Sequence, residues 1–167
     1  AQVAQVCAVD IYGATIPEHA FPWLFDEKTN TTAAMAQHRW EHRAQLRVDN
    51  WTLDFIARDV ETQELVGVVD LSAENFAAAR EVQTASWVLH RFQGQGYGTL
   101  IRQAVAEFSF SHLDAHSLRT CWIKTNRASA RVSEKMGYRI YTEKKEEPAG
   151  PEKINRPVVS ARLSAVD

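Results

Sequence analysis

The run Thr84-Ala85-Ser86-Trp87-Val88-Leu89-His90-Arg91-Phe92-Gln93-Gly94-Gln95-Gly96-Tyr97-Gly98-Thr99-Leu100-Ile101-Arg102 changes its pattern twice. Thr84 to Leu89 is rich in β-branched and aromatic residues, which predicts a strand. Gly94, Gly96 and Gly98 follow, with Gln93 before them and Gln95 and Tyr97 between. Leu100, Ile101, Ala104, Val105 and Phe108 then recur at helical spacing. Strand, glycine loop and helix in this order leave backbone N–H groups unpaired at a helix N-terminus, where the helix dipole favours negative charge. Glycine lets the backbone take positive φ and approach a ligand closely. The physical reading is a pyrophosphate cradle.

Three phosphate-binding loops compete for this pattern. A P-loop requires GxxxxGK[ST], and no Lys-Ser or Lys-Thr pair closes this one. A dinucleotide fingerprint requires GxGxxG on an early strand and an acid about 20 residues on. Here Thr99 stands where the third glycine belongs, and the loop lies past the middle of the chain. The third is the acyl-CoA loop Q/R-x-x-G-x-G/A, which Gln93-Gly94-Gln95-Gly96-Tyr97-Gly98 matches. Downstream, Asn126-Arg127-Ala128-Ser129-Ala130-Arg131-Val132-Ser133-Glu134-Lys135-Met136-Gly137-Tyr138 looks like N-x-x-S/A-x-x-x-x-E-K-x-G-F/Y. With both motifs in this order, separated by a helix and a strand, the chain resembles the GNAT superfamily of acyl-CoA-dependent N-acetyltransferases. It looks nearest the ribosomal-protein-alanine acetyltransferase-like branch.

Composition sets the outer bounds. The 167 residues suit one compact domain with a sizeable core, taken here as 1–167. A formal net charge of -2 without a dense basic patch does not indicate nucleic-acid binding. Cys7 and Cys121 make no metal or redox spacing and fit reduced thiols of a cytoplasmic protein. No apolar run approaches a membrane span, and no signal pattern opens the chain. The first residue is Ala1, so the sequence reads as processed, trimmed or part of something longer.

Along the chain, residues 1 to 30 carry no convincing strand. Val3, Val6 and Val9 suit a short strand or helix start, and the segment Ile16 to Phe25 an irregular loop packed on the core. Thr31 to Val48 predicts a helix capped by Thr31 or Thr32. Trp51 to Ala57 and Leu65 to Leu71 predict an antiparallel hairpin about Glu61 to Glu64. The segment from Ser72 to Arg80 reads as a loop, and a strand follows from Glu81 to Leu89. The helix after the glycines runs from about Gly98 to His112. A strand over Ser117 to Lys124, a helix over Ala128 to Met136 ended by Gly137, and strands over Tyr138 to Glu143 and Val158 to Ser164 complete the chain. At helical spacing Asn126, Ser129 and Ser133 form one polar stripe, with Ala128, Val132 and Met136 as an apolar stripe beside it. The charged, proline-containing segment Lys144 to Pro157 reads as a mobile loop. The elements describe an α+β domain with a mixed, mostly antiparallel sheet. The resemblance implies a three-layer α/β/α GNAT fold whose sheet splays between the strands at 84–89 and 117–124. The family opens with a full strand, so a truncated first strand is expected here.

The resemblance also implies the chemistry: acetyl transfer from acetyl-CoA to a primary amine by direct attack in a ternary complex. No metal is called for. Gln93, Gly94, Gln95, Gly96, Tyr97, Gly98 and Thr99 would hold the pyrophosphate, Val88 and Leu89 the pantetheine, with Asn126 and Ser129 as further partners. The amine must lose a proton, and the tetrahedral oxyanion needs a preorganised donor, expected from the backbone near Val88 or Leu89. Many relatives carry tyrosine where this chain has Ser133. Serine is a poor acid, so its expected role is a hydrogen bond to the departing sulfur. The general base is chosen among Glu81, Asp70, Glu74 and His38, with Glu81 put first. Thr84, Ser86 and Val88 share a strand face, and the first two could hold a water; Glu81 has the opposite parity unless a bulge intervenes. The acceptor is a small molecule or a protein N-terminus, and relatives of this branch are often dimers.

Two other readings compete. A catalytically silent acyl-CoA sensor would use the same cradle, and the missing tyrosine leaves room for it. His38-Arg39-Trp40-Glu41-His42 matches the zinc-peptidase pattern H-x-x-E-H on a helix, but no third ligand is evident. Trp51, Trp87 and Trp122 are expected in the core, while Trp23, Phe25 and Trp40 suit either core or a wall of the acceptor site.

Overall fold

A computed structural model describes residues 6–28, 31–141 and 145–165. In chain order its elements are α1 (Ala8–Tyr12), α2 (Thr32–Ala44), β1 (Trp51–Arg58), β2 (Leu65–Ala73), α3 (Phe76–Ala79), β3 (Glu81–Val88), α4 (Tyr97–His112), β4 (Ser117–Ile123), α5 (Arg127–Lys135), β5 (Arg139–Tyr141), β6 (Glu146–Ala149) and β7 (Ile154–Ser164). The sheet runs β1-β2-β3-β4-β7-β5, with β6 also on β7. Only the β3–β4 pair is parallel, so the sheet is mixed and mostly antiparallel as expected.

The sheet has two faces with different coverings. Val82, Leu71, Val69 and Leu118 join Ile101, Val105 and Ala106 of α4 in the main core, and the buried Thr84 shares their face. Trp51, Leu53, Phe55 and Ala57 alternate along β1 onto that same core, the period-2 pattern of a half-buried strand. On the opposite face, Val68 and Trp87 meet Val6, Ala8, Ile11 and Leu24 in a second cluster, so the irregular N-terminal segment caps one end of the sheet. Its Pro22–Phe25 portion is a 3-10 turn. The Thr31 side chain accepts from Ala34 N–H and caps α2, which lies against β1.

Several boundaries differ from the sequence reading. α2 ends at Ala44, four residues before Val48; Leu46 and Val48 are exposed and give the last turn nothing to pack on. The Ser72–Arg80 segment contains the one-turn helix α3, flanked by Asn75 and Arg80 in the left-handed region. The segment read as a mobile loop instead forms β6 and the start of β7, paired from Glu146↔Pro157 to Ala149↔Ile154 about a turn containing Gly150 at φ +73°. Of its prolines, Pro148 lies on the edge strand β6, Pro151 in the turn, and Pro157 on β7 opposite Glu146. Val3 and residues 142 and 143 of the next expected strand lie outside the described residues. No helix among the described residues is long and apolar enough to cross a membrane.

The feature that positions the site is where β3 and β4 part. They pair only from Glu81↔Ser117 to Thr84↔Thr120, and beyond that rung they diverge. This is the predicted splay, and it leaves residues 85–88 of β3 without a neighbour on that side.

Candidate active site

The loop after β3 is built as a cradle. Gln93 fixes its entry: the side-chain Nε2 donates to Val88 O at 2.9 Å and to Ile11 O at 2.7 Å. Gln95 Nε2 donates to Arg91 O at 2.7 Å. Gly94 (φ +75°) and Gly96 (φ +92°) take conformations that other residues reach only with strain. A Cβ at either would meet nothing within 4 Å, so both face open space. Gly98 differs: its Cβ would sit 3.5 Å from Val132 Cγ2, ordinary contact, which explains why the motif accepts alanine there. α4 begins at Tyr97 with Gly96 as its N-cap and no side-chain cap. Among the described residues the amides of 94 to 98 have no acceptor; the next one used is Thr99 N–H to Gly96 O. Such amides at a helix N-terminus form an anion site.

The outer edge of the cradle is tied to the β1–β2 turn. Tyr97 donates its hydroxyl to Asp59 Oδ2 at 2.6 Å, and Asp59 also accepts from Glu61 and Thr62 amides. The Tyr97 bond, helped by those of Thr62, lowers the Asp59 carboxyl to about 2.

From the cradle the open edge of β3 leads inward. Leu89 N–H donates to Val66 O at 2.8 Å. In the antiparallel β2–β3 register, Leu89, Trp87 and Ala85 therefore turn their amides to β2, and Val88 and Ser86 turn theirs into the splay. Of the two residues expected to supply the backbone donor, Leu89 is already engaged and Val88 is directed at the gap. Ser86 joins it, a position that only the register reveals. Gly67 makes this geometry feasible. It sits opposite Val88, and a Cβ there would lie 2.3 Å from Trp87 O.

α5 flanks the gap on the α4 side. Asn126 Oδ1 caps it by accepting from Ser129 N–H at 3.1 Å, so that oxygen serves the helix itself. The inward stripe is not the one sequence spacing suggested. Ala128 is exposed, Ala130 and Met136 reach the core, and Ser133 is the helix's one buried residue, 2 % exposed. Among the described residues its Oγ has no hydrogen-bond partner. A buried hydroxyl without a partner costs free energy, and such groups call for an explanation.

The opposite face carries the carboxylates. β3 has no bulge, so Glu81 points away from Thr84, Ser86 and Val88. It lies at the closed end of the strand, 2.6 Å from Arg162 Nε and 3.7 Å from Arg119 Nε, and is not brought together with the cradle and splay residues. It lines a polar groove with Ser72, Glu74, Gln83 and Arg119. Asp70 is placed differently, opposite Ala85 where the strands begin to part. Across β1 it pairs with Asp54, which His42 Nδ1 contacts at 3.2 Å and Arg39 at 3.6 Å. Burial first, then the Asp54 charge, raise the Asp70 carboxyl to about 7, with Arg39 opposing. His38 stacks edge-on against His42 with ring centroids 4.1 Å apart, and burial holds its pKa down. Among the described residues no group of three or more His, Cys, Asp and Glu is placed to hold a metal ion. Trp40 is 64 % exposed on α2, whereas Trp23 and Phe25 pack in the second cluster.

Asp70 gives a pH prediction. Its folded pKa of about 7 exceeds the unfolded 3.8, so the folded state holds the extra proton between those values. The associated stability is present below pH 3.8 and is lost as pH rises through about 7. Thermal melts at pH 5 and pH 8 should show the wild type losing more stability over this interval than Asp70→Asn. Equal losses in both proteins would contradict the assigned titration.

Sequence spacing missed one residue of this region altogether. Arg102 of α4 is only 5 % exposed and reaches Thr84, Ser86 and Thr120, the hydroxyls around the last β3–β4 rung. Thr84 and Ser86, expected to hold a water, hold this guanidinium instead. An arginine beside an apolar stripe reads as a surface residue, and nothing local marks it as buried.

The acetyltransferase (GNAT) domain family matches residues 8–139, most of the chain, and the protein belongs to that family. Among solved structures it is similar to Mycobacterium smegmatis RimJ in complex with CoA-disulfide (TM-score 0.72, 18 % identity, 83 % of this chain and 65 % of that one). It is also similar to the spermidine N-acetyltransferase of Vibrio cholerae in complex with CoA and spermine (TM-score 0.70, 16 % identity, 84 % and 79 %). A dodecameric structure of the latter enzyme, in an intermediate state, matches with TM-score 0.68 at 14 % identity over 87 % and 80 %. At these identities the likeness establishes the fold.

Proposed function

We propose that the protein transfers an acetyl group from acetyl-CoA to a primary amine by direct attack in a ternary complex. The observation that carries this reading is a pair of backbone donor groups: the amides of 94–98, without an acceptor among the described residues, and those of Val88 and Ser86, turned into the splay. The diphosphate would lie on the first group and the pantetheine along the second, with the thioester deepest, near the last rung. Gly94, Gly96 and Tyr97 hold the diphosphate through their amides, while Gln93 and Gln95 brace the loop. Asn126 and Ser129 keep α5 against the gap.

The amine enters from the opposite face, along the groove containing Glu74, Glu81 and Arg119. Asp70, rather than the arginine-bound Glu81, is the better proton acceptor, because a base titrating near the working pH is half-ready to accept a proton. The Val88 N–H receives the developing oxyanion. Ser133 donates to the sulfur as the C–S bond breaks. The amine-bearing neighbours suggest a polyamine-like amine or a protein N-terminus as acceptor, and self-association follows the same analogy. The free Cys7 and Cys121 suit a cytoplasmic setting.

Calorimetry with CoA and a thiol-release assay against an amine panel test the reading together. Saturable CoA binding with release on at least one amine supports the transferase. Binding without release on any amine supports the sensor, and no binding removes both. In the active protein, Ser133→Ala should lower kcat by about tenfold, below the usual range for full proton transfer, with CoA affinity unchanged. An unaltered kcat would reject the role of Ser133.

A further inference from the structure

Arg102 is a buried cation with no carboxylate beside it. Among the described residues no acidic side chain forms an ion pair with it; its three recorded partners are neutral hydroxyls. Nη1 donates to Thr84 Oγ1 and Nη2 to Thr120 Oγ1 at 3.0 Å, one hydroxyl from each strand of the last paired rung. Nε donates to Ser86 Oγ at 3.3 Å, the next residue of that face beyond the rung. The guanidinium therefore sits in the crotch where the sheet divides. It has five N–H donors, and each Nη keeps one that these bonds do not use. Among the described residues Ser133 Oγ, buried, has no hydrogen-bond partner, and the buried Tyr138 hydroxyl interacts with the guanidinium.

Burying a guanidinium normally demands a counter-charge, because desolvation costs several kcal/mol per ion in a real interior. Burial pushes the pKa of Arg102 down, with Tyr138 and Cys121 opposing, but a guanidinium remains charged in proteins. A simple staple between β3 and β4 would not need a charge at all; a glutamine or a threonine network could bridge the same hydroxyls. The cation makes sense if an anion arrives in the gap during turnover. One does if acetyl transfer occurs there. The amine nitrogen bonds to the thioester carbon, its proton passes to the base, and the C–S bond breaks with the electron pair remaining on sulfur. The product is a CoA thiolate. With serine in place of tyrosine at 133, no phenol is present at that position to protonate it.

We propose that Arg102 supplies the positive field that holds the departing CoA sulfur as a thiolate, acting from the crotch of the divided sheet through the cluster of Thr84, Ser86 and Thr120. This rests on the reading of the gap as the acyl-CoA site. In a water-poor interior a fixed charge acts far more strongly than at the surface. The same field should act on free CoA bound as product, which allows a test that needs no acceptor.

The thiol of CoA is titrated in complex with the protein by following thiolate ultraviolet absorbance, after calorimetry establishes saturation. In the wild-type complex it should titrate at least about one unit below free CoA, measured alongside, for which a cysteine-like thiol at about 8.5 is the reference. Arg102→Gln keeps hydrogen-bond donors but removes the charge, and should bring the thiol back to the value of free CoA. Arg102→Lys should restore at least half of the depression. In turnover, Arg102→Gln should lower kcat by about tenfold with the CoA dissociation constant changed less than twofold, the split expected for transition-state stabilisation. A wild-type complex whose thiol titrates like free CoA overturns the proposal while leaving CoA binding intact, and needs no variant to fold. A depression that persists in Arg102→Gln overturns it equally. Failure of the wild type to bind CoA removes the site reading and the proposal together.

Discussion

Gly96→Val should abolish measurable CoA binding at concentrations that saturate the wild type, while the protein stays folded. At φ +92° and ψ -14° a β-branched residue is strained, at a cost of roughly 1–3 kcal/mol. No protein atom lies within 4 Å of the added Cβ, so the folded state suffers little beyond that strain. The ligand suffers more, because the side chain fills the space that the free amides of 94–98 address. Losing two hydrogen bonds to a charged group removes about 3 kcal/mol or more, a factor of at least about 100 in affinity. Gly98→Ala is the control: its Cβ makes ordinary contact with Val132, and binding should change less than about threefold, within the usual range of a tolerated surface change. Calorimetry on both variants decides it. Wild-type affinity in Gly96→Val would mean that the diphosphate does not use this loop.

Gly67→Ala should be the most damaging single methyl in the molecule. Its Cβ would lie 2.3 Å from Trp87 O and 3.1 Å from Val88 Cα, both backbone atoms of β3. Neither can turn aside as a side chain would, so β2 and β3 must separate. Overpacking of this kind costs about 3 kcal/mol, which corresponds to a Tm lowered by roughly 6–12 °C in a domain of this size. The displaced residue is Val88, whose amide faces the gap. Acetyl transfer should therefore fall further than the residual stability explains, when measured well below the new Tm. A variant melting within 2 °C of the wild type would show that the strands do not approach so closely.

These two glycines also show what sequence reading can reach. Gly96 was legible because its role is local: three alternating glycines between strand and helix state their own geometry. The strand, loop and helix layout followed from that, and the divided sheet from the family resemblance that the segment at 126–138 completes. Gly67 was not legible, since its reason lies in a strand twenty residues away that only the register brings opposite. The same holds for Asp70 beside Asp54 and for Arg102 among three hydroxyls drawn from two strands. Ser133 was found by motif, but its burial was not, because helical spacing placed it on a polar stripe. The β6–β7 hairpin was missed for a compositional reason: charge and proline mimic a loop, and edge strands tolerate both.

Among the described residues, the four rungs from Glu81 to Thr84 form the one ladder that joins β1-β2-β3 to the other half of the sheet. α4, through Arg102, spans both halves on one side. A cosubstrate lying between them would act as an added strand, exchanging backbone bonds with one wall and side-chain contacts with the other. If the proposed acyl-CoA site is right, uptake would complete the sheet and product release would unzip it, so the stiffness of the body would change with occupancy.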